Sequence, residues 1–344
     1  MDTLNIVILG AGRTGRGFIA RLLHKDARLI FIDSDLALVR RLNEAGAYVV
    51  RYFDGAPERI IGGYVAYHTD DPACRAAIEA SAAVFVSVRG ENTGAAGVWL
   101  AERGCPPCIV VCENAVDPAA LLGGSLSGTA ASAAVFCTTV EDGPLDIYSE
   151  RYPQLHVSAH GLSADIAALD GIAVEDSFDV LMRRKIYTYN AASCIIAYLG
   201  ALRGIESYAD AANDPDIAAE LDLFYVAINA AICAEFGIEG DRQRVFAAMS
   251  KEKFQNRAIA DSVARNAASP ARKLSPEERI IASARLIARH GGDTGPLTKT
   301  AAAALVYMGV KTQKEAGDAL TQICMLGAED PLYHGIMDEF IAIV

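Results

Sequence analysis

The chain has 344 residues, is 52% hydrophobic and carries a formal net charge of −12, with a sequence pI near 5.0 and a mean hydropathy of +0.22. That length holds two domains and a large core, while the acidic balance argues against bulk nucleic-acid binding and leaves room only for a local basic pocket. No uninterrupted apolar run approaches the roughly 18 residues of a membrane span, and the N-terminal residues already read as a core strand with no room for a signal peptide, so a cytoplasmic protein is expected.

Residues 5–9 are a short apolar run. Gly10, Ala11, Gly12, Arg13, Thr14 and Gly15 follow, and then Phe18, Ile19, Leu22 and Leu23 at helical spacing. This reads as strand, tight turn and helix. In a dinucleotide-binding unit Gly10 permits the turn, Gly12 lets the backbone approach a pyrophosphate and Gly15 allows close helix–sheet packing, with Arg13 and Thr14 beside the phosphates at the helix N-terminus. Residues 28–32 form a second strand, and Asp33 ends it about twenty residues on, where a carboxylate accepts both ribose hydroxyls. A carboxylate there repels a 2′-phosphate, so NAD is expected rather than NADP.

Residues 60–67 read as an extended insertion, 72–80 as a helix and 82–88 as a buried parallel strand. Cys105 and Cys108 have C-x-x-C spacing, but no second pair stands at zinc spacing, so a turn before a strand is preferred to a thiol site. The strand at 108–112 runs into Glu113 and Asn114. Ligands of open α/β sheets lie beyond such strand ends, and the Asn114 amide can donate to an oxyanion or cap a helix near Asp117 and Pro118. Another strand is read at 134–140, followed by the acidic pair Glu141 and Asp142, solvated or functional. Late strands at 155–159 and 172–174 extend the sheet. His156 and His160 share a face there, but without a third ligand no metal is expected. Cys74, Cys137, Cys194, Cys233 and Cys324 lie mostly in alanine- and valine-rich runs, as buried small hydrophobes in a reducing compartment do.

The pattern predicts an α/β protein: a Rossmann-type doubly wound sheet over residues 1–176, then an all-helical domain over 177–344. Breaks in the helical half are expected at Gly200, Gly204, Pro215, Gly237, Pro270, Pro276, Gly291 and Gly292. Within it, Lys185 and Asn190 supply an amine and a carboxamide, groups suited to proton transfer and to stabilising a developing oxyanion. On an α-helix five positions are about 500°, so these side chains diverge by roughly 140° and meet only on a substrate lying across the helix end.

Taken in order, Gly10 through Ile19, Cys112-Glu113-Asn114, Arg184 through Asn190, Ala197-Tyr198-Leu199-Gly200, Phe254-Gln255-Asn256, Asp261, Arg265 and Arg272-Lys273-Leu274-Ser275 resemble the polyol-specific long-chain dehydrogenases. The resemblance is loose after about residue 280, and the chain is shorter than usual members. It implies NAD-dependent hydride transfer at a secondary alcohol or ketone of a sugar alcohol, sugar acid or sugar phosphate. Lys185 is then the acid–base group, Asn114 and Asn190 stabilise the oxyanion, Asn114 also adjoins the cofactor, and no metal takes part. The implied partner is a small polyol or ketose, phosphorylated or free, with the protein a monomer or homodimer. Lys185 needs a depressed pKa, from burial or from Arg183 and Arg184.

The departures are specific. Ser193 replaces a substrate-holding histidine, Glu141 and Asp142 replace an aspartate–arginine pair, and Arg257 and Ala268 replace a proline and an arginine. Redox groups persist where substrate-holding groups change, which predicts retained chemistry on an altered substrate. Arg265, Arg272 and Lys273 either hold a phosphate or are solvated and support packing. Two other readings stay open: a reductase of an opine-like or modified-sugar carbonyl or imine, motivated by Ser193, and an NAD-binding regulatory protein that lost catalysis.

Overall fold

The computed structural model describes residues 3–104 and 106–344, which fall into two compact units divided in sequence between Met182 and Arg183. The division lies inside the helix Phe178–Lys185, a few residues past the change in composition. Cys105 lies outside the described residues, so only Cys108 of the C-x-x-C pair can be placed, and it is buried.

The first unit contains twelve strands among its described residues: β1 (Leu4–Leu9), β2 (Ala27–Asp33), β3 (Ala47–Tyr52), β4 (Arg59–Gly62), β5 (Val65–His68), β6 (Ala83–Val86), β7 (Ile109–Val111), β8 (Ala131–Ala134), β9 (Thr139–Asp142), β10 (Asp146–Ser149), β11 (Leu155–Ser158) and β12 (Ile172–Glu175). Eight of them form one sheet in the order β12-β11-β8-β7-β6-β1-β2-β5. From β5 to β8 every pair is parallel, and β11 turns antiparallel to β8. β1 is central: Ile6 and Ile8 enter one apolar core and Val7 and Leu9 the other. Burial on both faces is why these strands read as continuous apolar runs. Strand order reverses at β1, with β2 on one side and β6 on the other, so the turn after β1 sits at the switch point where such sheets take ligands.

A second sheet, β4-β3-β10-β9, is absent from the sequence reading, and two expectations fail because of it. The stretch 60–67 is not one insertion: Gly63 (φ +70°) breaks it, sending β4 to the second sheet and β5 to the edge of the main one. The stretch read as one strand at 134–140 is also two. β8 ends at Ala134, and β9 pairs with β10 instead, with the Glu150 N–H donating 3.1 Å to the Thr138 carbonyl. Gly17 lets this sheet come close, since a Cβ there would run into Ile147 and Thr139.

The second unit has only helices as named elements among its described residues, with one isolated β-bridge between Ser207 and Ser262. Its core is assembled from Ala191–Leu202, Pro215–Phe236, Ile281–Arg289, Gly295–Tyr307 and Pro331–Ile343, with Gly240–Gln255 alongside. Pro215–Phe236 starts on an Asp214 cap and ends on Gly237 in the left-handed region. It is also long and apolar enough to cross a membrane, yet Leu221, Phe224, Ile228 and Ile232 are buried in the core. Pro276 lies, as expected, in the break between Pro270–Lys273 and Ile281–Arg289. Gly200 is not a break, because Ala191–Leu202 runs through it. Instead it is a contact point, where a Cβ would lie 2.9 Å from Ala211 Cβ and 3.2 Å from Val263 Cγ2.

Overpacking of this kind costs about 1–3 kcal/mol. Gly200→Val is expected to lower the urea-unfolding free energy by that amount, whereas Gly12→Ala, whose Cβ meets no atom within 4 Å, should stay within about 0.5 kcal/mol of the parent.

Candidate active site

In the first unit the glycine turn is closed at two points and open at the third. Gly10 has φ +100°, and a Cβ there would collide with the Ser87 carbonyl; one at Gly15 would collide with the Gly10 carbonyl. Only Gly12 faces open space, as an approaching pyrophosphate requires. Asp33 is held beside this turn. Its carboxylate accepts the Ala11 N–H at 2.7 Å and the Asp35 N–H at 2.8 Å, which fixes it at the carboxyl end of β2. Arg13 is exposed and Thr14 half-buried in the first turn of the helix that follows. That helix contains a wide turn at Gly15–Ile19, where the Ala20 N–H reaches back to the Gly15 carbonyl.

Asn114 is exposed beyond the end of β7. It is not the cap of the short helical turn Ala119–Leu122, since Asp117 takes that place by accepting from the Ala120 N–H and the Ser132 hydroxyl. Its neighbour Glu113 is half-buried, and burial pushes its carboxyl up to about 8. Of the acidic pair, Asp142 joins Asp146 and Glu58 around Arg51, and Glu141 lies 4.0 Å from the buried Arg16. The two histidines have structural partners: His156 sits between Glu175 (2.7 Å) and the Tyr152 hydroxyl (3.2 Å), and His160 meets the Gly128 carbonyl.

The second unit carries Lys185, Asn190 and Ser193 on one continuous run of helix, and here the geometry departs from the sequence expectation. Between Phe178–Lys185 and Ala191–Leu202 the turn Ile186–Asn190 is a π-turn, with the Ala191 N–H donating to the Ile186 carbonyl five residues back. In such a turn residues five apart stack as residues four apart do on an α-helix, so the expected divergence of roughly 140° disappears. Lys185 and Asn190 share a face. Ser193, three residues further on, continues it.

Lys185 is only 3% exposed, and its amine is lowered to about 7, first by burial and then by the charges of Lys253 and Arg279. Arg183 and Arg184 are not the cause. Arg183 is exposed, and Arg184 points its Nε to Gln243 (2.6 Å) and its Nη2 to the Arg242 carbonyl (2.7 Å), with its guanidinium 4.0 Å over the Phe246 ring. Asn190 and Ser193 are half-buried, and the buried Tyr208 hydroxyl donates 2.9 Å to Ser193 Oγ. Sequence reasoning missed Tyr208 and Gln243. Neither stands in a motif, and only the packing of separate helices shows their partners.

The three cations weighed as phosphate ligands all have internal partners. Arg265 pairs with Asp261, and Arg272 with Glu278 at 2.8 Å. Lys273, 6% exposed and lowered to about 8 mainly by burial, donates to the Asn266 carbonyl and lies 5.7 Å from the Tyr198 ring centre. Arg257, where the resemblance expects proline, pairs with Asp210 at 3.1 Å.

The folded-state value for Lys185 lies below that of a free lysine, so the unfolded chain binds the extra proton from about pH 7 to pH 10 and stability rises with pH through that window. Lys185→Met should remove a rise of up to about 1.4 kcal/mol per pH unit. Urea unfolding of both proteins at pH 7 and pH 9.5 checks this, because the other titrating groups cancel in the difference.

Residues 178–330 match the family model of the mannitol dehydrogenase C-terminal domain. The mannitol-1-phosphate 5-dehydrogenase of Paenarthrobacter aurescens (strain TC1) is 26% identical over 331 residues, covering 88% of this chain and 87% of its own. Among solved structures, a D-sorbitol dehydrogenase in substrate-free form superposes with a TM-score of 0.75 at 13% identity, covering 99% of this chain and 93% of its own. The mannitol 2-dehydrogenase of Pseudomonas fluorescens, solved with NAD and D-mannitol, gives 0.72 at 14% identity, covering 99% and 91%. At those identities the likeness establishes a shared fold.

Proposed function

We propose, from the membership of this chain in the mannitol dehydrogenase-like family, that it is an NAD-dependent oxidoreductase of the CH–OH group acting on a sugar alcohol or ketose, free or phosphorylated. The observation that carries the reading is Lys185: a buried amine lowered to about 7, on one face with a carboxamide. Near neutral pH it is populated in both protonation states, which suits an acid–base group working in either direction. In oxidation neutral Lys185 Nζ takes the proton of the substrate hydroxyl, and in reduction the protonated amine returns it. The Asn190 side-chain amide, with Asn114 as the second carboxamide the resemblance implies, donates to the oxygen as charge builds there. NAD supplies the hydride acceptor. The open face of Gly12 and the carboxylate of Asp33 fit its pyrophosphate and its ribose hydroxyls. The relatives' activity supports a cytoplasmic metabolic enzyme.

Two features bear on the substrate. The name of the relatives and the grouping of Arg265, Arg272 and Lys273 support a phosphate. The internal partners of those cations, and a neutral Ser193–Tyr208 pair where the resemblance expects imidazole, support an uncharged or modified sugar. Oxidation of NADH is to be followed with ketose phosphates, free ketoses, keto-uronates and amino-sugar ketones. Turnover of at least one class is expected, falling more than about 100-fold in Lys185→Ala. Turnover that survives this substitution overturns the mechanism, and NADH binding without turnover of any class favours a regulatory protein.

The cofactor assignment is tested separately. Asp33→Ser removes the ribose-binding carboxylate and its repulsion of a 2′-phosphate, so NADH should bind about tenfold more weakly while discrimination against NADPH narrows, as read by fluorescence titration.

A further inference from the structure

The geometry points to Gln243 as the positioning residue of this site: we propose that its buried carboxamide clamps the π-turn Ile186–Asn190 and so keeps Lys185 and Asn190 on one face. The inference rests on the reading of Lys185 as the acid–base group.

Gln243 stands on Gly240–Gln255 and has no solvent exposure, so its carbonyl and both N–H donors have to be satisfied inside the protein. They are satisfied around the π-turn. Oε1 accepts from Arg184 Nε at 2.6 Å, and Nε2 donates to Thr188 Oγ1 at 3.1 Å and to Asn229 Oδ1 at 2.9 Å. Arg184 immediately precedes Lys185, and Thr188 lies in the middle of the turn, so one rigid amide grips the helix on both sides of the lysine. Asn229 ties the same amide to Pro215–Phe236. The neighbouring rings close the contact: Arg184 stacks on Phe246, and Phe246 meets Tyr189 of the turn edge-on at 4.9 Å.

A wide turn needs such a clamp because it is less favourable than the α-helical turn it replaces. If the turn relaxed by one residue toward α-helix, Lys185 and Asn190 would come to lie roughly 140° apart. Other donors and acceptors do not substitute easily. Gln243 offers one acceptor toward Arg184 and two donors toward Thr188 and Asn229, fixed in a plane, and an apolar replacement leaves the Arg184 guanidinium half-buried without that partner. The charged groups facing Lys185, Lys253 from Gly240–Gln255 and Arg279 ahead of Ile281–Arg289, are retained in every variant below, as is Arg184 beside it.

The test reads Lys185 directly, independent of substrate. The rate at which trinitrobenzenesulfonate modifies Lys185 is followed against pH by mass spectrometry in the parent, Gln243→Met and Thr188→Val, with folding checked by circular dichroism and turnover measured beside it. Thr188→Val removes only the bond to the turn and keeps the comparison available if Gln243→Met fails to fold. Loosening the turn admits water to the amine, so the labelling midpoint should move upward by about one pH unit or more, toward free lysine. At pH 7 kcat should fall at least about tenfold with NADH affinity unchanged. Folded variants that lose only thermal stability, with labelling profile and kcat as in the parent, overturn the proposal. Persistent turnover in Lys185→Ala instead overturns the acid–base reading, while the labelling profile still reports whether Gln243 holds the turn.

Discussion

An amine with almost no contact with water binds its proton weakly, and the chemistry open to this protein follows from the burial of Lys185. In water a lysine is charged at neutral pH and useless as a base. Placed under a helical core with Lys253 and Arg279 near it, the same group is lowered to about 7 and can take up or release a proton near neutral pH. A change of one residue in helical phase decides whether a carboxamide stands beside that amine. Without the π-turn, Asn190 would face away. With it, Lys185, Asn190 and Ser193 form a row along one side of a helix.

The two units use close approach in the same way. Gly10 and Gly15 let strand, turn and helix pack so closely that neither tolerates a Cβ, which leaves Gly12 as the open position. Gly17 admits the second sheet onto the same helix, and Gly200 admits Ala211 and Val263 onto the helix that carries the site. Two of the helical runs that carry candidate site residues contain a π-turn, at Gly15–Ile19 and at Ile186–Asn190. Wide turns are rare and cluster at functional sites because they turn a few side chains out of the regular helical phase.

The cations of the second unit show why residue type is a weak guide to ligands. Arg265, Arg272 and Lys273 lie close in sequence and look like an anion site, yet they hold Asp261, Glu278 and the Asn266 carbonyl. The buried Lys273 needs an acceptor whether or not a substrate is present, and for the exposed Arg265 and Arg272 of an acidic chain carboxylates are at hand. Which side chain meets which is a matter of tertiary packing, and the motif carries no trace of it.

By itself the sequence determined what local patterns encode. The continuous apolar runs of β1, β2 and β6, the glycine turn with Asp33 and the alanine-rich helical half were all legible, because strand burial, turn conformation and helix periodicity are written in neighbouring residues. Tertiary structure alone decided the second sheet, whose short strands come from distant parts of the chain and pair Ala47–Tyr52 with Asp146–Ser149. It also decided the π-turn, since an extra residue in one turn leaves no mark on composition and is held by partners such as Gln243, 55 residues from Thr188. The proton affinity of Lys185 belongs to the same class: it depends on what surrounds the amine, and only the folded chain sets that.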